Sequence, residues 1–178
     1  MTAAPVPIEQ ADFRTLRSTL GCFATGVTIV TAVSPDGTRA GVTANSFTSV
    51  SLDPPLVSVN LGRKLHSLPV FRAARSFAIN VLSERQLDLA RIFATPRADK
   101  WHGIEVVHGL SGCPLIGGAA GVFECEKHAA YDGGDHEIFV GRVYHAYAAA
   151  ELRPLIFHGG EFTTLAQSLA MKINMLPP

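Results

Sequence analysis

The chain is poor in charge. Only 17% of its 178 residues are Asp, Glu, Lys or Arg, against about 25% in ordinary soluble domains, while 47% are apolar. Fifteen basic and fifteen acidic residues cancel, so there is no net field of the kind that holds a nucleic acid or an anionic membrane. Runs of about 18 apolar residues, which a membrane-spanning helix requires, are also missing. Cysteine is scarce and scattered: Cys22, Cys113 and Cys125 form no CxxC. That argues against a disulfide scaffold or a zinc site and points to a reducing, cytoplasmic setting. Residues 1–8 hold two prolines and neither a basic segment nor an apolar core, so they are expected to be a loose tail rather than a signal peptide. The length predicts one domain, and its apolar excess predicts an oligomer.

The common nucleotide and catalytic signatures are absent too. No two glycines are separated by one residue, which rules out a GxGxxG fingerprint. The spacing Gly112 to Gly117 is followed by Gly118 rather than lysine, so there is no P-loop. Neither GxSxG, HExxH nor HxH occurs. Any bound nucleotide must therefore be held without a Rossmann unit. His128 and His136 lie among Glu124, Glu126, Asp132, Asp135 and Glu137, but no pair has a recognised ligand spacing, and no metal is predicted.

What is present reads mainly as β-structure. Phe13, Leu16 and Leu20 fall at helical spacing and end at Gly21. Val27 to Val33 is apolar on both faces, as a central strand requires. Ser34-Pro35-Asp36-Gly37 is a turn, which predicts a hairpin partner over 39–47. Leu56–Leu61 and Phe77–Leu82 read as strands, and Leu65–Ala74 as a short helix. Ser83 with Gln86 forms a capping-box pattern for a helix to about Phe93. Residues 96–114 read as irregular. Further strands are expected over 119–128, 136–147 and 155–157, and Leu165, Leu169 and Ile173 suggest a C-terminal helix. The pattern is an antiparallel barrel with peripheral helices rather than an alternating parallel sheet.

Two segments carry chemistry. The first runs from Gly41 to Val57, where Thr43, Asn45, Ser46, Thr48, Ser49 and Ser51 offer polar groups ahead of Pro54 and Pro55. Arg63, Lys64 and Ser67 follow and could anchor a phosphate. Composition alone favours a plainer outcome, an edge strand whose hydroxyls face water. The second is Gly133-Gly134-Asp135-His136, where two glycines would let a backbone approach a ligand and His136 would meet it. The residues alone equally allow a hairpin turn with an incidental histidine.

Taken together and in order, these segments resemble the flavin reductase components of two-component, diffusible-flavin monooxygenases. The resemblance runs from about Phe13 to Leu165. It is carried by Phe13-Arg14, Gly26-Val-Thr-Ile-Val-Thr31, Val42-Thr-Ala-Asn-Ser-Phe-Thr-Ser-Val-Ser-Leu-Asp-Pro-Pro-Leu-Val57, Phe77-Ala-Ile-Asn-Val-Leu82 with Gln86, Cys113-Pro-Leu115 and Gly133 to Val143. It implies a mainly β fold, the antiparallel Greek-key split β-barrel of flavin-binding type, as a homodimer. The domain would span 9–165, with 166–178 a helical extension.

The implied activity is NAD(P)H-dependent reduction of FMN or FAD by hydride transfer, with reduced flavin diffusing to a partner monooxygenase. A non-catalytic flavin- or haem-binding split barrel is the alternative. By position, Val42, Thr43, Ala44, Asn45, Ser46 and Phe47 would meet the flavin ring and ribityl chain. Asn60, Lys64, His66 and Ser67 would approach the phosphate, and Asn80 and Val81 would line the site. His136 is the catalytic candidate, holding the nicotinamide, with Gly160 and Phe162 beside it. Two departures stand out. Lys64-Leu-His66-Ser67 replaces a hydroxyl-rich cluster, which leaves FMN against FAD open, and Phe157 and Phe162 stand where a tyrosine is common. NADH against NADPH is open as well.

Overall fold

The computed structural model describes residues 13–96 and 99–165. A short helix α1 (Phe13–Gly21) precedes β1 (Thr25–Gly26), β2 (Thr28–Val33), β3 (Arg39–Ala44), β4 (Thr48–Leu52) and β5 (Pro55–Gly62). Helix α2 (Leu68–Ala73) and β6 (Ser76–Val81) follow, then a 3-10 turn over Glu84–Gln86 that leads into α3 (Leu87–Ala94). The second half is β7 (Val106–His108), β8 (Pro114–Ile116), β9 (Gly121–Gly133), β10 (His136–Ala148), β11 (Leu155–His158) and β12 (Glu161–Thr164).

Seven strands form one sheet in the order β3-β2-β6-β9-β10-β5-β4; β1, β11 and β12 form a second, and β7 pairs with β8. Every pairing is antiparallel. The outer strands of the large sheet, β3 and β4, are consecutive in the chain and joined only by Asn45, Ser46 and Phe47. Since a residue spans at most about 3.6 Å, so short a link forces the two edges together. The sheet curls into a barrel with a seam between β3 and the β5–β4 pair. Ser46 stitches that seam: its hydroxyl donates to the Asn60 carbonyl and accepts from the Asn60 N–H, both at 3.0 Å.

Strand β2 is buried on both sides, as its β-branched sequence predicts. Val30 packs with Val59, Leu61, Phe71 and Phe139, while Ile29 packs with Leu82, Phe93, Ile116 and Leu155 beneath α3. The turn after β2 forms as expected. Asp36 accepts from the Ser34 hydroxyl and the Thr38 N–H, Gly37 takes φ +84°, and these bonds hold the Asp36 carboxyl down at about 2, the Ser34 bond contributing most. Gln86 reaches back to the Ser83 N–H at 3.0 Å, in the capping box that the pattern predicts. Cys113 and Cys125 are buried thiols, and burial pushes Cys125 up to about 12. They are core residues rather than nucleophiles.

Differences from expectation have local causes. β9 extends to Gly133 because β10 pairs with it along its whole length. The exposed strands β4 and β12 show no burial alternation that would mark them. The expected tail at 1–8 and the helix over 166–178 lie outside the described residues.

Gly141 of β10 crosses the core where a Cβ would stand 2.5 Å from the Phe77 ring and 2.6 Å from Cys125 Cβ. The ring can shift, but the Cys125 Cβ is fixed to the paired strand. Gly141→Ala is therefore expected to destabilise the fold by about 1–3 kcal/mol, seen as a lower denaturant midpoint with an unchanged slope.

Candidate functional site

The seam opens into a groove with two lobes. The smaller, of 240 Å³, is walled by Val42–Ser46 on one side and Asn60–Gly62 on the other, with Leu65 and His136 completing it. The larger, of 590 Å³, runs over Arg39–Val42, the loop Lys64–Ser67, the end of α3 and Lys100–Trp101. Val42 and Leu65 belong to both, so the lobes adjoin.

Each wall is held by its own hydrogen bonds. The Thr43 hydroxyl donates to the Ala90 carbonyl at 2.7 Å, fastening β3 to α3. With Ser46 committed to Asn60, two hydroxyls that the sequence offers to a ligand serve the fold. Asn45 is exposed and makes no side-chain hydrogen bond among the described residues, which leaves its amide free.

His136 opens β10, opposite Gly62 of β5 and Gly133 of β9. The two-residue turn before it needs Gly134 at φ +76°, the hairpin geometry that puts glycine first. Gly134 is thus required by the turn, one of the two readings open for that segment. The Asp135 carboxylate lies 2.6 Å from His136 Nδ1. A carboxylate only accepts, so Nδ1 carries the hydrogen and Nε2 is the nitrogen left for a ligand. Nε2 lies 3.7 Å from where a Gly62 Cβ would stand. The same bond holds the Asp135 carboxyl below its usual value.

Arg63 locks this hairpin to the groove. Its N–H donates to the Asp135 carbonyl at 2.9 Å, its Nε to the Gly134 carbonyl at 2.8 Å, and its guanidinium pairs with Asp132. The loop bearing Lys64, His66 and Ser67 therefore has a fixed position relative to His136.

Ten of the predicted residues line the groove: Val42, Thr43, Ala44, Asn45, Ser46, Asn60, Lys64, His66, Ser67 and His136. Five do not. Phe47 turns into the barrel and packs on Phe123, ring centroids 5.2 Å apart. Asn80 is wholly buried: its amide donates to the Ile29 carbonyl at 2.9 Å and its oxygen accepts from the Ile116 N–H at 2.9 Å. Val81 pairs with Thr28 and Gly121 within the sheet. Gly160 sits in the β11–β12 turn at φ +87°, and Phe162 packs on Phe157 at 5.4 Å. Lining residues that were not predicted include Arg39, Lys100 and Trp101. The one available signal was the chain's single tryptophan beside a lysine in an otherwise irregular stretch.

Residues 20–166 match the family described as the flavin reductase like domain. The chain belongs to that family. Among this flavin reductase-like protein's relatives is the stachydrine N-demethylase reductase subunit of Rhizobium meliloti, 43% identical over 164 residues, covering 92% of this chain and 70% of the relative. Another is the FMN reductase (NADH) of Agrobacterium fabrum, 44% identical over 149 residues and 84% of each chain. Two further relatives are longer, and the chain spans 50% and 54% of them. Among solved structures, the NADH:FAD oxidoreductase of Streptomyces globisporus, in complex with NAD and FAD fragments, superposes with a TM-score of 0.87. That match has 40% identity and covers 94% of this chain and 100% of the other. The mainly β, antiparallel split-barrel architecture is shared with these flavin reductases. No helix among the described residues is long and apolar enough to cross a membrane.

Proposed function

We propose that this protein is an NAD(P)H-dependent flavin reductase that supplies reduced flavin to a partner flavin-dependent monooxygenase. One observation carries the reading: residues 42–46, with the free Asn45 amide, and the free nitrogen of His136 line one lobe, and a basic loop lines the adjoining one. The groove fits the group it would receive. The Asn45 amide and the unladdered seam edge of β3 would face the polar rim of a flavin ring, and Lys64, His66 and Ser67 would hold its phosphate. His136, through Nε2, would orient the nicotinamide.

When bound, the flavin supplies the hydride acceptor for the reduced nicotinamide. The protein's own share is alignment and exclusion of water. Hydride transfer needs no dedicated acid or base. Relatives named as an FMN reductase (NADH) and an NADH-dependent FAD reductase support NADH as the reductant. Relatives named as reductase components of monooxygenases support hand-off of the reduced flavin, which here would diffuse. Apolar side chains left exposed, including Phe13, Phe23, Val50 and Leu52, support a homodimer, and the free thiols support a cytoplasmic location.

The test is a purified-protein assay with NADH and riboflavin, FMN or FAD. The expected result is NADH oxidation that depends on added flavin. Flavin binding with no consumption of NADH would instead make this a non-catalytic binding barrel.

A further inference from the structure

In the sequence Arg63 stands beside Lys64 as a candidate phosphate anchor, yet it lines neither lobe. Its Nε donates to the Gly134 carbonyl at 2.8 Å, one Nη pairs with Asp132, and the other lies 3.8 Å from Glu137. All three guanidinium nitrogens thus serve the β9–β10 hairpin rather than the groove. The planar fork of an arginine suits such a three-way grip, which a lysine could not reproduce.

The hairpin needs that grip at its tip. Strand pairing between β10 and β5 starts at His136 opposite Gly62, so Gly134 and Asp135 lie beyond the last paired residue. Asp132, on the other arm, accepts from the Gly134 N–H at 2.9 Å and also meets the guanidinium. The Asp135 side chain is 90% exposed, and its direction is set by the turn that carries it. That carboxylate in turn holds His136 Nδ1. On the far side of His136, Glu137 accepts from Arg72 at 2.7 and 2.9 Å, tying the strand to α2. The contacts therefore run from Arg63 to the turn, from the turn to Asp135, and from Asp135 to the imidazole. Loop 62–68 has bonds of its own: the Leu65 N–H donates to the Gly62 carbonyl at 3.0 Å and the Leu68 N–H to the Leu65 carbonyl at 3.1 Å. Loss of the Arg63 side chain would release the hairpin tip and leave Lys64, His66 and Ser67 in place.

We propose that Arg63 is a positioning residue for the nicotinamide: it aims His136 Nε2 through the turn and Asp135 without touching either substrate. This rests on the reductase reading and deepens it. A double-mutant cycle of Arg63→Gln and His136→Ala, read as the Michaelis constant for NADH with FMN as acceptor, tests it. Because Arg63 acts only through His136, its effect is bounded by that of His136→Ala. Arg63→Gln is expected to raise the constant about fivefold when His136 is present and less than about 1.5-fold when it is alanine, with the constant for FMN moving less than about twofold. The melting temperature should fall by less than about 3 °C, since exposed ion pairs contribute little stability, so a damaged fold does not explain the split. Nitrogen chemical shifts of the His136 imidazole read the same positioning without turnover. With the ring neutral at alkaline pH, the wild type keeps the hydrogen on Nδ1, and Arg63→Gln brings the two nitrogen shifts together. Arg63→Lys keeps the charge and loses the fork, and should raise the NADH constant nearly as far; it decides the matter if circular dichroism shows Arg63→Gln to be unfolded. An equal rise in both backgrounds, an unmoved NADH constant or unmoved imidazole shifts would overturn the proposal. The reductase reading fails separately, by absence of flavin-dependent NADH oxidation in the wild type, and the imidazole shifts then decide alone whether Arg63 aims His136.

Discussion

Replacing His136 with alanine is expected to raise the Michaelis constant for NADH about tenfold or more while moving that for flavin less than about twofold. The asymmetry comes from placement. His136 lines the smaller lobe, while Lys64, His66 and Ser67 line the larger. Asp135 holds its Nδ1, so Nε2 is the group that a ligand loses on truncation. A tenfold change corresponds to about 1.4 kcal/mol, the size of one good hydrogen bond. The geometry of the hairpin survives the substitution, because Arg63 grips the backbone carbonyls of Gly134 and Asp135 and not the imidazole. Steady-state kinetics with each substrate varied in turn checks this. An unchanged constant for NADH would remove His136 from its role.

Asn80→Ala is expected to give a large loss of stability with flavin affinity retained. The amide of Asn80 joins three strands, bonding the Ile29 carbonyl on β2 and the Ile116 N–H on β8 from its own place on β6. Truncation leaves the buried Ile116 N–H without this partner and removes a bond to the Ile29 carbonyl, a loss of about 2–4 kcal/mol together. For a domain of this size the melting temperature should fall by about 5–15 °C. Below that temperature the variant should bind flavin as the wild type does, since Asn80 lies outside both lobes. Weakened binding with an unchanged melting temperature would put Asn80 in the site.

These two residues also show where a linear reading succeeds. The strands and turns were legible because periodicity and turn chemistry are local: the apolar β2, the Asp36-Gly37 turn and the Ser83–Gln86 pair all form as the residues predict. His136 and the polar run 42–46 were legible through resemblance, and the fold brings them together across a seam that no periodicity announces. Asn80 was placed at the site by the resemblance, and its bonds run instead to backbone groups 51 and 36 residues away in sequence. Thr43 and Ser46 line the smaller lobe while their hydroxyls bond the Ala90 and Asn60 carbonyls. Arg39 and Trp101 were invisible because their contact joins segments with no shared motif.

The central claim is that the seam between β3 and β5 is where flavin and nicotinamide meet. A crystal structure of the protein with flavin bound tests it most directly. The account predicts ring density against residues 42–46, with one face open towards His136 and the phosphate near Lys64 and Ser67. Density for the ring elsewhere on the barrel, away from both Asn45 and His136, would contradict it.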